Sequence, residues 1–326
     1  MKKDLRFIKG AISTKDFVPV LKHVHIRDGQ AQAFNGSIAL STPIDIKETV
    51  TPVAADFIKA IELCKDTPQL SVTKAGRLKI QDGSFKAFVK VINDESFPTV
   101  TPTGTMLEDV GDIARAFRCL LPFVGTDASR AWSSGIIIKN NYAYATNNVV
   151  LACYTRPLKL PNELIIPLAA IREVIRIAEP VERVQMDSSS VTFHFSHGRW
   201  LRSNLIDHKA PDFGVVLSKC SYKTETMQAV SKELPEILER LKPFTDKKIP
   251  QLILRKSGIY TDYEKDEGAC DTSLSFHLAV FRYEPLYEVS QIATHWNLEY
   301  YPSPCPFVSE DISGVIIGQR LDHVSE

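Results

Sequence analysis

"YATNNVVLACYTRP", Tyr144 to Pro157, sets two asparagines between two apolar, strand-like segments. The earlier stretch "QAFNGSIALSTPI", Gln32 to Ile44, has the same form, with Asn35 and Gly36 at the break. Aligning "RDGQAQAFNGSIAL" from Arg27 with "KNNYAYATNNVVLA" from Lys139 gives an offset of 112 residues (139 − 27). Asp28-Gly29 and Asn140-Asn141 then fall at matching places. Both dipeptides favour the primed turns of tight hairpins, which need positive φ at both central positions. A fixed offset is the mark of an internal repeat.

The repeat extends beyond the hairpin. "TPVAADFIKAIEL" from Thr51 and "IPLAAIREVIRIA" from Ile166 align Pro52 with Pro167, an offset of 115 (167 − 52). Proline suits the first turn of a helix, where its missing N–H is no loss. Another 115 residues lead to Arg282, inside "FRYEPLYEVSQIA", again an apolar run entering a helical pattern. The third hairpin is weakly written as "LRKSGIYTDY", with Ser257-Gly258 at its turn. After each helix come alternating segments, "LSVTKAGRLKIQDGSFKAFVKV", "VQMDSSSVTFHFSHGRWLRSNLI" and "LEYYPSPCPFVSEDISGVIIGQRL", patterned as hairpins.

Upstream of each hairpin lies a further helix. "LEDVGDIARAFRCLL" places Val110, Ile113, Ala114, Phe117 and Leu121 at three- and four-residue spacing. "SKELPEILERLK" does so with Leu234, Ile237, Leu238 and Leu241, with Ser231 read as the N-cap. "DLRFIKGAIS" is the short first copy. The fold class expected is therefore α+β: three tandem domains at 1–102, 103–217 and 218–326, each with two helices packed on antiparallel sheets. The boundaries fall near the Pro/Thr-rich "FPTVTPTGT" and near "APDFGVVLSK".

Composition narrows the function. The 326 residues suffice for two or three domains, and 44% hydrophobic with 24% charged residues is a globular composition. Basic and acidic residues both number 39, so any nucleic-acid contact depends on local clustering of charge. No apolar run is long enough to span a bilayer, and "MKKDLRFIKG" lacks the apolar centre of a signal peptide. Six scattered cysteines without a C-x-x-C pair read as reduced thiols, so a cytoplasmic setting is expected.

Catalytic signatures are missing. There is no Walker loop, G-x-G-x-x-G, H-E-x-x-H or G-x-S-x-G. His23 with His25, and His194 with His197, lack the further ligands a metal site needs and read as structural or surface histidines. The acidic run of Asp262, Glu264, Asp266 and Glu267 lacks calcium-loop spacing and reads as a solvated hairpin tip. No enzyme activity and no cofactor are expected.

Three copies of a helix-plus-strand unit without an active site suggest a scaffold, and the residues resemble the bacterial DNA sliding clamps, the DNA polymerase III beta subunits. The resemblance spans the chain and rests on "FVPVLKHVHIRDGQAQAFNGSIALSTPI", "SRAWSSGIIIKNNYAYATNNVVLACY", "ELIIPLAAIREVI", "APDFGVVL" and "GVIIGQRL", in the family's order and spacing. A phage or prophage version is expected. The resemblance implies two subunits joined head to tail as a homodimeric ring of six domains around duplex DNA, tethering polymerase and clamp loader through short peptide motifs. The alternative reading is a clamp-like scaffold that gathers partners without encircling DNA.

A sliding ring needs weak, sequence-blind phosphate contacts rather than base readout. Arg172 and Arg176 are four apart on one helical face, beside an apolar stripe of Ile171, Val174 and Ala178. Arg115 and Arg118 flank the stripe of the preceding helix. Lys59 and Lys65, then Lys232, Arg240 and Lys242, are their weaker counterparts. By resemblance Lys15 matches a basic DNA-contacting position, and Arg130 and Trp132 lie on a loop that approaches DNA. The resemblance also implies a partner-peptide pocket at Thr146, Leu151, Pro211, Val215, Val216, Val315, Ile316, Ile317, Gln319, Arg320 and Leu321. Asn147 to Val150 stand where the family has Asp-Gly-His-Arg, and Ile317-Gly318-Gln319 where it has Met-Pro-Met, so a shifted peptide preference is expected.

Overall fold

The computed structural model describes residues 1–14, 18–127, 129–160, 163–256, 258–262, 268–271 and 276–320. Ser257 of the third hairpin turn and Glu264, Asp266 and Glu267 of the acidic run lie outside the described residues. Seven α-helices occur among them: α1 (Lys2–Ile8), α2 (Ala54–Leu63), α3 (Ile113–Leu120), α4 (Leu168–Ile177), α5 (Phe213–Leu217), α6 (Leu234–Leu241) and α7 (Tyr283–Ile292). Apart from α5 and the short strands Thr105–Leu107 and Gln228–Ala229, the order is helix, four strands, helix, three strands, three times over. The chain forms two compact units, Met1–Ala114 with Ile166–Asp207, and Arg115–Ile165 with His208–Glu326.

In the first unit, an antiparallel sheet runs in the order His25–Arg27, Gln30–Phe34, Ile38–Pro43, Trp200–Asn204, Ser190–His194, Arg183–Met186, Thr105–Leu107. Its middle joins sequence-distant strands, with Leu40 opposite Leu201. A second sheet has the order Thr51–Pro52, Phe85–Ile92, Arg77–Asp82, Gln69–Val72. Leu5, Ile8, Ile26, Leu40, Phe57 and Phe193 are fully buried and form its core. Each such side chain contributes roughly 1.5–3 kcal/mol of burial free energy.

The second unit is built the same way. Strands Gly135–Lys139, Tyr142–Thr146, Val150–Tyr154, Ile312–Ile316, Cys305–Val308, His295–Trp296 and Gln228–Ala229 succeed one another in one sheet. Here Ala152 lies opposite Gly314. A four-stranded sheet has the order Ala269–Asp271, Gly258–Tyr260, Gln251–Arg255, Ala279–Arg282. In α6, Leu234, Leu238 and Leu241 recur at helical spacing and are all buried.

The repeated asparagine phrase has one local cause. Asn35 Oδ1 accepts from the N–H groups of Ser37 and Ile38, both at 3.0 Å. Asn147 Oδ1 accepts from Val149 at 3.1 Å and Val150 at 2.8 Å, the same two donors 112 residues on. Such a turn lets the side chain stand in for backbone pairing where the strand reverses. Asp28, Gly29, Asn140 and Asn141 all have positive φ, as the primed hairpin turns require.

Several helix ends differ from the sequence reading. Pro52 ends a strand, and α2 begins at Ala54; Pro167 is the N-cap of α4 rather than its first residue. Ser231 precedes α6 by a short turn, its Oγ accepting from Glu233 N–H at 3.2 Å, and Glu233 occupies the N-cap. Ala178 lies beyond α4 as a left-handed cap with φ 56°, so the buried stripe is Ala170, Ile171 and Val174. Val110 is buried but sits outside α3, because Gly111 at φ 71° breaks the backbone before Ile113. Leu121 opens a 3₁₀ turn after α3, and Leu120 in its place joins Ile113 and Phe117 as a fully buried residue of the stripe. The stretch "APDFGVVLSK" contains α5, capped by Asp212 Oδ1 accepting from Gly214 N–H at 3.1 Å.

The six cysteines are all unbridged; Cys64, Cys153 and Cys305 are buried. His25 is buried beside Asp94 (Nδ1 to Oδ1 2.9 Å) and stacks on Phe97. Among the described residues no three His, Cys, Asp or Glu side chains gather as a metal site, and no helix is long and apolar enough to cross a membrane.

Candidate functional site

The Asn147 turn lies at one end of a groove in the second unit. Thr146 Oγ1 accepts from Asn148 N–H at 3.1 Å, and Asn148 Oδ1 accepts from Arg130 Nη1 at 2.6 Å. Ile317 N–H donates to Val149 O at 2.8 Å, so the segment after the last strand is tied to the turn. Gln319 N–H donates to Val280 O at 2.7 Å, and the Tyr301 hydroxyl donates to Gln319 O at 2.6 Å. These bonds hold Gln319, with Asn147, Asn148 and Val149 of the turn, in the wall of a cavity of about 570 Å³.

The lining of that cavity mixes apolar side chains with amides and charged groups in similar measure. Val124, Val149, Ile249, Pro250 and Pro285 supply the apolar lining, and Asn147, Asn148 and Gln319 the amides. Asp127, Lys248, Arg282, Glu284 and Glu288 bring charge. Burial, helped by the neighbouring Glu284 charge, pushes the Glu288 carboxyl up to about 7. The Gln319 Oε1 atom is buried without a hydrogen-bond partner among the described residues.

A second surface adjoins the same strands. Phe213 of α5 packs between Tyr144 and Trp132, with ring centroids 5.7 and 5.8 Å away. This contact anchors α5 and leaves Val215 54% and Val216 40% exposed, with Pro211 exposed beside them. Ile317 is likewise 43% exposed.

The structure therefore divides the residues expected to form a pocket. Thr146 opposite Leu151, and Leu151 opposite Val315, make one ladder with Val150 opposite Ile316. Thr146, Leu151, Val315 and Ile316 are buried and hold the sheet together. Pro211, Val215, Val216, Ile317 and Arg320 are open to solvent, and Gln319 is half-buried in the cavity wall. Leu321 lies outside the described residues. Sequence reasoning missed Ile249, Pro250, Arg282, Glu284, Pro285 and Glu288. Their signal in the sequence is the repeated strand-into-helix pattern at Arg282.

The basic residues also fall into two sets. Arg118 and Arg172 are exposed and make no ion pair or side-chain hydrogen bond among the described residues. Arg115 instead grips Asp311, with Nε at 2.6 Å from Oδ2, and Arg156 Nε reaches the other oxygen at 2.7 Å. The side-chain hydrogen bond to Asp311, and then that carboxylate's charge, hold the Arg115 pKa above its ordinary value. Arg176 pairs with Glu173 on its own helix and donates to the carbonyls of Arg6 (3.2 Å) and Phe7 (2.6 Å) at the end of α1. Cations at helix C-terminal carbonyls stabilise the helix end. Arg130 holds Asn148, and Trp132 is half-buried against Phe213. Lys15 lies outside the described residues. Lys242 of the third repeat sits 5.5 Å over the Tyr283 ring.

No protein-family model matches the chain, and no curated protein matches its sequence. Solved structures do match, over nearly the whole length. The chain is similar to the DNA polymerase III beta sliding clamp of Pseudomonas aeruginosa bound to griselimycin, at 16% identity and a TM-score of 0.81, covering 98% of this chain and 97% of that one. The Bacillus subtilis DNA polymerase sliding clamp matches at 15% identity and a TM-score of 0.80, with the same coverage. The Helicobacter pylori beta clamp bound to a DNA ligase peptide matches at 16% identity and a TM-score of 0.78, again over 98% and 97%. The α+β fold with antiparallel sheets is thus the fold of the bacterial beta clamps.

Proposed function

We propose that the chain is a sliding clamp, a non-catalytic processivity factor of three domains (1–102, 103–217 and 218–326) that closes head to tail as a homodimeric ring around duplex DNA. The observation that carries this reading is an incomplete pattern of seams. The strand after the asparagine turn in the first repeat, Ile38–Pro43, pairs with Trp200–Asn204, the last strand of the second repeat. Its counterpart Val150–Tyr154 pairs with Ile312–Ile316, the last strand of the third. The third counterpart, Ala269–Asp271, ends its sheet with one edge unpaired among the described residues. The last strand of the first repeat, Phe85–Ile92, is covered on one side only from Lys90 to Ile92. A second copy supplies the missing partner for each edge, by the strand addition that open sheet edges invite. Two intrachain seams and one between subunits, repeated twice, account for six domains.

Arg118 and Arg172 are free to meet phosphates, and Arg115 and Arg176 hold the frame that presents them. The groove beside the Asn147 turn takes the apolar anchors of partner peptides from polymerase and clamp loader. The Helicobacter clamp was solved with a ligase peptide, and the cavity and the exposed Val215 and Val216 offer this chain a comparable place. Light scattering at micromolar concentration tests closure: twice the chain mass is expected, and a strict monomer or a trimer would defeat the ring. For the groove, a cognate polymerase peptide should lose affinity for Val216→Asp and keep it for an exposed control such as Lys256→Asp. Equal binding to both would remove the groove from the proposal.

A further inference from the structure

Helix α7 turns Tyr283, Pro285, Leu286 and Val289 into the core of the second unit. Glu284 and Glu288 lie one turn apart on the same helix, so their side chains are neighbours on its surface. Both line the 570 Å³ cavity beside the Asn147 turn. Glu284 is exposed and Glu288 half-buried. Neither makes an ion pair or side-chain hydrogen bond among the described residues. Like charges at this spacing repel each other, and burial adds to the cost of charging Glu288. The cavity's own cations do not relieve the pair. Lys248 precedes the strand Gln251–Arg255, and Arg282 closes the strand Ala279–Arg282 opposite Gln251. Both are exposed and beyond ion-pair distance of the two carboxylates.

On the asparagine side of the cavity the acceptors are already taken. Asn147 Oδ1 holds the N–H groups of Val149 and Val150, and Asn148 Oδ1 holds the Arg130 guanidinium. Asp127 Oδ1 accepts from Ser129 N–H at 2.9 Å. Gln319 differs from these. Its backbone is pinned at both ends, by Val280 O and the Tyr301 hydroxyl, while its Oε1 is buried without a donor among the described residues. A buried acceptor of this kind costs free energy until a donor arrives. One cavity therefore holds three acceptor groups without donors, and two of them are withdrawn from water. Lys248 and Arg282 are hydrated, and exposed charges contribute little. The buried acceptors weigh more in the choice of ligand.

We propose that the groove selects partner peptides that carry a lysine or arginine side chain, whose N–H donors reach Glu284, Glu288 and Gln319 Oε1. A lysine ammonium brings three donors and one positive charge to three acceptor groups with negative charge in excess. A glutamine satisfies Gln319 but leaves the carboxylate pair uncompensated, and a glutamate adds a third like charge. The inference rests on the reading of this groove as the partner-peptide site and names the partner's chemistry there. Glu284, Glu288 and Gln319 are its specificity-determining residues, beside the apolar lining that takes the anchors.

The test is fluorescence anisotropy on the full chain at pH 8, above the Glu288 pKa of about 7. The probes are labelled decapeptides with one leucine and one phenylalanine anchor in a Gly/Ser frame. A single Lys, Gln or Glu is walked through the remaining positions. At one position or more, Lys should bind about tenfold tighter than Gln, and Glu more weakly than Gln. Glu284→Gln with Glu288→Gln should bring the three affinities within about twofold of one another, and Glu284→Lys with Glu288→Lys should reverse their order. Glu225→Gln, exposed on the same unit outside the cavity lining, should keep the parent's order. Thermal melts check that the variants remain folded. Val216→Asp separates this proposal from the groove itself. If it weakens the whole series while Lys has no advantage at any position, the groove stands and the cation preference is overturned. If no probe binds, or Val216→Asp weakens none, both are overturned together. Tighter binding of the Glu probes would also overturn the preference and make Lys248 and Arg282 the selecting groups. So would a Lys advantage that survives the double Glu→Gln variant.

Discussion

Gly314 sits in the middle of the seam between Val150–Tyr154 and Cys305–Val308, opposite both Ala152 and Phe307. A Cβ built there would stand 2.6 Å from Leu151 O and 2.5 and 2.8 Å from Phe307 Cζ and Cε1. Ordinary contact begins at 3.4 Å, so the strands must part by about 0.8 Å (3.4 − 2.6). The ring has little room to retreat, since Phe307 is fully buried, faces Phe123 at 6.1 Å and lies opposite Trp296. Overpacking of this kind costs about 1–3 kcal/mol, and the backbone contact places Gly314→Ala at the upper end. For a unit of 170 residues (51 + 119), about 3 kcal/mol corresponds to a fall of about 6–12 °C in Tm. A Trp200→Phe background leaves Trp132 and Trp296, both in the second unit, as fluorescence reporters of its unfolding. Adding Phe307→Leu should restore only part of the loss, because the Leu151 oxygen stays in place. A Gly314→Ala protein melting within about 2 °C of its parent would refute the reasoning that this seam is closely packed.

Asn147→Ala removes an acceptor of two backbone N–H groups and should cost about 1–2 kcal/mol in urea denaturation, with Asn147→Asp close to the parent. Glu288→Gln tests the raised carboxyl in the cavity. Because its folded pKa lies above the unfolded value, stability falls as pH rises from about 4.5 to about 7, and the cost persists above. The 2.5-unit shift (7 − 4.5) sets an upper bound near 3 kcal/mol, which partial solvation reduces to about 1–2 kcal/mol. The variant should therefore be more stable than the parent at pH 8 and equal to it at pH 4, as read by paired thermal melts. Arg172→Glu should weaken duplex association and lower its salt slope by about one unit or more, with an unchanged melting temperature. Arg176→Glu, which loses the α1 carbonyls and faces Glu173, should instead destabilise the fold.

The repeat was readable because its turns are dictated locally. Asn35 and Asn147 bond to backbone two and three residues ahead, and Asp28-Gly29 and Asn140-Asn141 adopt the φ their residue types favour, so sequence alone suffices. Helix ends were less readable, because tertiary packing moved them. Ala178 takes a left-handed cap that its residue type does not announce, and Pro52 is drawn into a strand beside Phe85–Ile92. Site chemistry was least readable where partners are remote in the chain. Arg115 looks like a free cation on a helix face, and its partner Asp311 is 196 residues away. Arg176 likewise meets carbonyls about 170 residues earlier. Trp132 and Phe213 come together only through folding, and so do Asp127, Ile249 and Glu288 around one cavity. Of the residues expected in the pocket, the buried strand members carry alternate apolar patterning that serves a core and a groove equally, and only burial separates the two.

Topological retention tests the central claim most directly. The protein, placed on a nicked circular plasmid with a clamp loader and ATP, is separated from free protein by gel filtration at a salt concentration that suppresses simple phosphate binding. A single restriction cut is then made and the column repeated. A closed sliding ring stays with the circle and is lost from the linear DNA. Equal loss from both forms, or equal retention on both, would contradict encirclement and leave a scaffold that gathers partners without holding DNA.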